Sequence, residues 1–169
     1  MIEQEIEELI QALQDDDEDV RWDAVSVLGK IGEKAVPVLT QALQDDDEDV
    51  RYHAAFALGE IGEGAVEAVP VLIQALQDDD EGVRYHAAFA LRDIGEGGVS
   101  ALIQALQDND EDVRYNAAKV LGEIGEEAVP ALIQALQGDD EIVRHHAAYA
   151  LRDIGTTEAL KAVSDNNVR

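Results

Sequence analysis

The chain has 169 residues, with 38 Asp plus Glu against 12 Lys plus Arg, a formal net charge of −26, and no cysteine. That length suits a single domain with a sizeable core, and 46% hydrophobic residues exclude the disordered class despite the charge. The charge repels polyanions, so neither nucleic acid nor an anionic membrane surface is an expected partner, whereas basic segments of a protein partner are favoured. Without thiols there is no disulfide and no thiolate metal site. The start, Met1-Ile2-Glu3-Gln4-Glu5, is acidic, and no apolar run approaches the ~18 residues of a membrane span, so a soluble cytoplasmic protein is the expectation.

The chain repeats itself. Val-Arg recurs at 20, 50, 83, 113 and 143, each time preceded by Gln-Ala-Leu-Gln and an acidic turn and followed by an Ala-x-x-x-Leu-x-x-Ile-Gly frame. A fixed period of about 30 residues marks a repeat array. The first repeat opens with an acidic helix carrying Glu3, Glu5, Glu7 and Glu8, suited to a polar end cap. In every repeat a second helix is predicted after an Asp (Asp17, Asp47, Asp80, Asp110, Asp140) followed by Glu, an N-cap with an acid in the first turn. It stops at Gly32, Gly62, Gly95, Gly125 or Gly155, the residue type that best tolerates a left-handed C-terminal position. First helices carry Pro37, Pro70 or Pro130 in the first turn, with Val36, Leu39 and Leu43 at helical spacing in the second repeat. Three extra residues ahead of Pro70 predict an added helical turn, the fourth repeat drifts from the others, and a short last helix is expected at about 157–163.

On a helical wheel Val50, Ala54, Ala57, Leu58 and Ile61 fall on one face, a core stripe that a lone helix pair cannot bury. Stacked pairs can. The expected fold is therefore all-α, an alpha-alpha superhelix (solenoid) of five helix pairs plus a short C-terminal helix. One domain is expected over 1–169, with repeats at about 1–32, 33–62, 63–95, 96–125 and 126–155 and a terminal half repeat at 156–169.

The run Leu-Ile-Gln-Ala-Leu-Gln-Asp-Asp-Asp-Glu-x-Val-Arg-Tyr-His-Ala-Ala-Phe-Ala-Leu-x-x-Ile-Gly at 72–95 resembles the HEAT-like repeats named after phycobilisome lyases, and the likeness covers about 1–155. The resemblance implies a solenoid whose second helices line its concave face. It implies no single activity, since the family spans scaffolds, bilin lyases and their chaperone-like relatives, a metal-dependent hydroxylase and artificial repeat proteins. In the hydroxylase relatives His-Glu pairs after the Val-Arg position ligate iron. Here those places read Trp-Asp, Tyr-His, Tyr-His, Tyr-Asn and His-His, so the resemblance supplies no ligand pairs.

Opposite the core stripe of the second helices lie Trp22 in the first repeat; Tyr52, His53 and Phe56 in the second; Tyr85, His86 and Phe89 in the third; Tyr115, Asn116 and Lys119 in the fourth; and His145, His146 and Tyr149 in the fifth. These are the candidate partner-binding residues, because aromatic side chains held on rigid helices bury large area at low entropic cost. The competing reading is that they pack against neighbouring second helices. His53 and His86 are the one pair close enough in the stack to share a metal, and no metal, cofactor or catalytic residue is assigned. Arg21, Arg51, Arg84, Arg114 and Arg144 are read as a structural ladder onto the turn acids, and the turns themselves as helix caps and solubilising charge, since they lack the Gly and distal Glu of a calcium loop.

The expected function is a protein-interaction scaffold holding a partner polypeptide. The alternatives are a bilin lyase or bilin chaperone, or an engineered or excised array without its own ligand. Thr156 to Ala162 reads as a shortened first helix, the final residues are expected to fray, and the chain is either monomeric or joined end to end through an uncapped last repeat.

Overall fold

The computed structural model describes residues 2–166, with side chains from residue 4. Among these residues the elements are α1 (Ile2–Ala12), α2 (Glu18–Ile31), α3 (Val36–Ala42), α4 (Glu48–Ile61), α5 (Val69–Ala75), α6 (Glu81–Asp93), α7 (Glu96–Ala105), α8 (Glu111–Ile124), α9 (Val129–Leu136), α10 (Glu141–Ile154) and α11 (Thr157–Asp165), with short 3-10 segments and no strand. Odd-numbered helices are the first of each repeat and even-numbered helices the second. The all-α repeat class is the fold observed.

The chain divides between Gly98 and Val99 into two compact units. In the first, α2, α4 and α6 pack side by side and α1, α3 and α5 back them. Leu13, Leu28, Leu39, Leu58, Leu72 and Leu91 are fully buried there. In the second, α10 packs against α8, α9 and α11, around Leu121, Leu132, Leu136 and Leu151. Each such leucine withdrawn from water contributes about 1.5–3 kcal/mol, so the leucine column, not helix propensity, holds each stack together. The wheel-derived stripe is buried at Val50, Ala54, Ala57 and Leu58, while Ile61 is half-buried at the helix end.

The caps form as the sequence predicts at the N-termini. Asp17, Asp47, Asp80, Asp110 and Asp140 each accept a backbone N–H from the first turn of the following helix. The C-termini differ in detail. Gly155 is left-handed at φ 68°, ψ 8°, whereas Gly32 takes φ 69°, ψ −140°. That second region is open essentially to glycine alone, and it bends the chain straight into the 3-10 segment Gly32–Ala35 that leads to α3. The three-residue insertion lengthens the equivalent segment to Gly62–Ala68 and leaves α5 at the seven residues of α3. The added turn is therefore 3-10, and it meets the original one at a kink at Ala65 (φ −94°, ψ 15°).

At the far end α11 buries Ala159, Ala162 and Val163 and turns Thr157, Glu158, Lys161 and Ser164 to solvent. Leu160 is the one large apolar side chain exposed on this helix among the described residues. The expected fraying at 167–169 and the Glu3 part of the acidic cap lie outside the described residues, the latter because its side chain is not described.

Gly98 occupies the place held by Ala35 and Ala128 in other repeats, and here a Cβ would overlap the carbonyl oxygen of Leu91. Gly98→Ala is thus a consensus substitution that helix propensity favours by about 1 kcal/mol and packing opposes. The overlap with backbone decides the sign. We expect a net loss of about 1–3 kcal/mol in thermal or urea unfolding, and an unchanged or higher midpoint would refute the close approach.

Candidate functional site

The turns and the second helices are built by the same residues. In all five repeats the Val-Arg arginine reaches back and donates from Nη1 to the carbonyl oxygen six residues earlier: Arg21 to Asp15 (2.6 Å), Arg51 to Asp45 (2.9 Å), Arg84 to Asp78 (2.6 Å), Arg114 to Asp108 (2.7 Å) and Arg144 to Gly138 (2.8 Å). These carbonyls follow the end of each first helix and would otherwise lack a hydrogen-bond donor. Asp15, Asp45, Asp78 and Asp108 in turn accept the backbone N–H of the N-cap Asp two residues on. The ladder is therefore chiefly one of guanidinium to backbone.

A carboxylate joins it at Arg51. Its Nε and Nη2 donate to Asp78 of the next repeat at 2.7 and 2.9 Å, a bidentate pair with both side chains largely covered. Burial pushes the Asp78 carboxyl up, but the Arg51 hydrogen bonds, the Asp80 amide and the charges of Arg51 and Arg84 outweigh it, and the group ends below its ordinary value. Nε of Arg114 is buried without a hydrogen-bond partner, and the residue of the next repeat equivalent to Asp78 is Gly138. Nε of Arg21 is likewise unpartnered although Asp45 holds that position, and nothing in the geometry explains it.

The outward residues of the second helices behave differently in the two units. In the first they form a continuous edge-to-face ladder. Trp22 stands 6.4 Å from Tyr52, 5.3 Å from His53 and 4.9 Å from Phe56, ring centre to ring centre; His86 stands 4.5 Å from Tyr52 and 5.1 Å from Phe56. Such pairs contribute roughly 0.5–1.5 kcal/mol each beyond area burial. Glycines seat the rings: a Cβ on Gly82 would lie 2.8 Å from Tyr52, and one on Gly59 would lie 3.1 Å from Phe89. Tyr85 closes against His86 at 5.1 Å but is 65% exposed. Arg92 stacks over Phe89 at 4.1 Å and donates to Asp93 at 3.1 Å.

His53 is the clear departure from the helical wheel. Expected on the exposed side, it is 3% exposed, and its Nδ1–H donates to the Asp49 carbonyl at 2.6 Å. The wheel sees one helix and one core. A second helix in a stack has neighbours on both flanks, and α2 with Trp22 covers this position. His86 is half-buried with Nδ1 unpartnered, and burial followed by the charge of His53 lowers its pKa from the ordinary value. Among the described residues no three His, Asp or Glu side chains converge as metal ligands would.

In the second unit Tyr115 and Tyr149 stand 5.9 Å apart and are 49% and 40% exposed. A hydrogen bond with Tyr115 raises the Tyr149 phenol above its ordinary pKa. Lys119 pairs with Glu123 at 3.8 Å, His145 is exposed beside His146 at 5.4 Å, and Asn116 and His146 are half-buried. Of the thirteen candidates, then, Tyr85, Tyr115, Lys119, His145 and Tyr149 are exposed, His53 is buried and the rest lie between.

A profile of HEAT repeats matches residues 6–92 and 99–166, and one of the PBS lyase HEAT-like repeat matches 83–108. The chain belongs to the HEAT repeat family. Solved HEAT-type structures resemble it. Two engineered proteins each share 28% identity over 96% of this chain, with 85% and 51% of their own lengths covered and a TM-score of 0.45. The complex of CpcE and CpcF of phycocyanin lyase from Nostoc sp. PCC7120 shares 24% identity, covering 86% of this chain and 96% of that one, with a TM-score of 0.53. That last likeness is one of fold. No curated protein sequence matches the chain.

Two features of these HEAT pairs escape sequence reasoning. One is the groove between α2 and α4, lined by Trp22, Val25, Ser26, Gly29, Lys30, Phe56 and Glu60, about 330 Å³ in volume. The other is the seating of rings and acids on glycine: Gly29 meets Glu60, and Gly122 meets Asp153. A recurring Gly on the flank of a predicted second helix is the signal that could have found both.

The Arg51–Asp78 pair makes a prediction about acid. A carboxyl whose folded pKa is depressed stabilises above its unfolded value and loses that contribution as pH falls through the folded one. Asp78→Asn is expected to cost about 1–3 kcal/mol at pH 7, between the values of surface and buried pairs. The gap in melting temperature between the wild type and this variant should close below about pH 4. A gap that persists in acid would show that the pair is not its source.

Proposed function

We propose that this HEAT array is a protein-interaction scaffold that holds a partner polypeptide against the outward side of its second helices. The observation that carries the reading is the exposure of large aromatic side chains there, Tyr85 in the first unit and Tyr115 and Tyr149 in the second, on helices that also carry Asp93, Glu123 and Asp153. Tyr115 and Tyr149 are exposed side by side, the start of a patch of the kind that marks an interaction surface, and the overall charge favours a partner that presents basic side chains. Asp15, Asp17, Asp45, Asp47, Asp78, Asp80, Asp108, Asp110 and Asp140 serve as caps and turn closures, and the part we assign to the turn acids in binding is long-range steering. Among the described residues no helix is long and apolar enough to cross a membrane.

The structural likeness to the phycocyanin lyase complex rests on fold, and bilin handling is the second reading to be tested beside the first. Tyr85, Tyr115 and Tyr149 replaced together by Ala should weaken capture of a partner at least tenfold with the melting temperature held within a few degrees, because none of the three is buried. Mixing the wild type with a bilin should leave the visible spectrum of the pigment unchanged. Capture that survives the triple substitution, or a shifted bilin spectrum, would move the function elsewhere.

A further inference from the structure

The first unit shows how its own surface receives a cation. Arg92 on α6 sits over the Phe89 ring, three residues before it, with its guanidinium carbon 4.1 Å from the ring centre, and hydrogen-bonds to Asp93 beside it. A guanidinium needs an aromatic face for its π-like plane and a carboxylate for its N–H groups, and Phe89 and Asp93, four residues apart, supply both. The repeat before it carries the same pair at the same helical positions, Phe56 and Glu60 on α4, but Gly59 stands where Arg92 does. Gly59 is fixed by packing, since Phe89 sits 3.1 Å from where its Cβ would be, so α4 has no room for a cation of its own at that position.

What lies beside Phe56 and Glu60 instead is the groove of about 330 Å³ between α2 and α4. Trp22 forms a second aromatic wall, 4.9 Å from Phe56 between ring centres and at 83° to it, so a planar cation can lie on the face of one ring only, and indole is the stronger face. Gly29 and Val25 line the groove, and Glu60 is exposed to solvent. Lys30 lines it too, as the one basic group there, and is exposed.

We infer that the α2–α4 groove is a subsite for an arginine side chain of the partner, stacked on the Trp22 indole beside Phe56 and paired with Glu60. The inference rests on the polypeptide-binding reading above and gives it a chemical specificity. A lysine would find the carboxylate but not the planar match, and an apolar side chain would leave Glu60 unpaired. Lys30 is the internal rival for Glu60, so its removal favours the incoming guanidinium.

Trp22 is the only tryptophan in the sequence, which makes the subsite directly observable. Titrating the full chain with N-acetyl-arginine amide and following tryptophan fluorescence should give a saturable change. The citrulline analogue, of the same length and uncharged, should give none, and the lysine analogue should bind at least threefold more weakly. Glu60→Gln should weaken the arginine response about tenfold and Lys30→Ala should strengthen it severalfold, while circular dichroism melts of both variants match the wild type. A wild-type chain whose fluorescence does not saturate with arginine, or a Glu60→Gln variant that responds as the wild type does, overturns the subsite. That failure is separable from failure of the scaffold reading, which is decided by capture through Tyr85, Tyr115 and Tyr149, residues outside this groove.

Discussion

Everything else in this molecule depends on how the chain turns between the first and second helix of each repeat. Two helix ends meet there within a few residues, one presenting carbonyls and the other N–H groups, and both need partners. The arginine after each second-helix valine donates to the carbonyl six residues back, and an Asp caps the N–H groups. With these ends satisfied the angle between the two helices of a pair is set, and the leucine column can form by stacking one pair on the next. The large negative charge follows from the same requirement repeated five times: acids concentrate where helices begin.

The second helices then have three kinds of surface. One faces the first helices and is alanine and leucine. The flanks face neighbouring second helices and are where glycine lets rings approach. What is left over is the outward strip. In the first unit the flanks have absorbed most of the aromatic residues, so Trp22, Tyr52, His53 and Phe56 contribute packing energy as well as shape, and Tyr85 and the groove beside Trp22 are the parts still open to a partner. In the second unit the tyrosines remain open.

The repeat, the caps and the core stripe were legible because each is a local signal written several times over: Asp-Glu before Val-Arg, Gly after Ile, and Pro in the first turn. The insertion before Pro70 was legible as one turn, though not as a 3-10 turn, because its type depends on the backbone that Gly62 imposes. The site was less legible, for a physical reason. His53 sits on the outward side of its own helix and is still buried, since exposure there is decided by Trp22 of the neighbouring helix. Side-by-side packing of like helices does not show in the periodicity of any one of them. The glycines at 29, 59, 82 and 122, conspicuous only as low helix propensity in the sequence, are what the stack uses to bring those neighbours close.

The proposed scaffold gives the turn acids an architectural part and the outward strip of the second helices the part of holding a partner. Chemical-shift mapping with an arginine-rich peptide measures this directly. The account predicts that the largest shifts fall on Trp22, Phe56, Glu60, Tyr85, Tyr115 and Tyr149, with only small, salt-sensitive changes in the turns at 45–49 and 108–112. Shifts confined to the acidic turns, with the aromatic resonances unmoved, would contradict it.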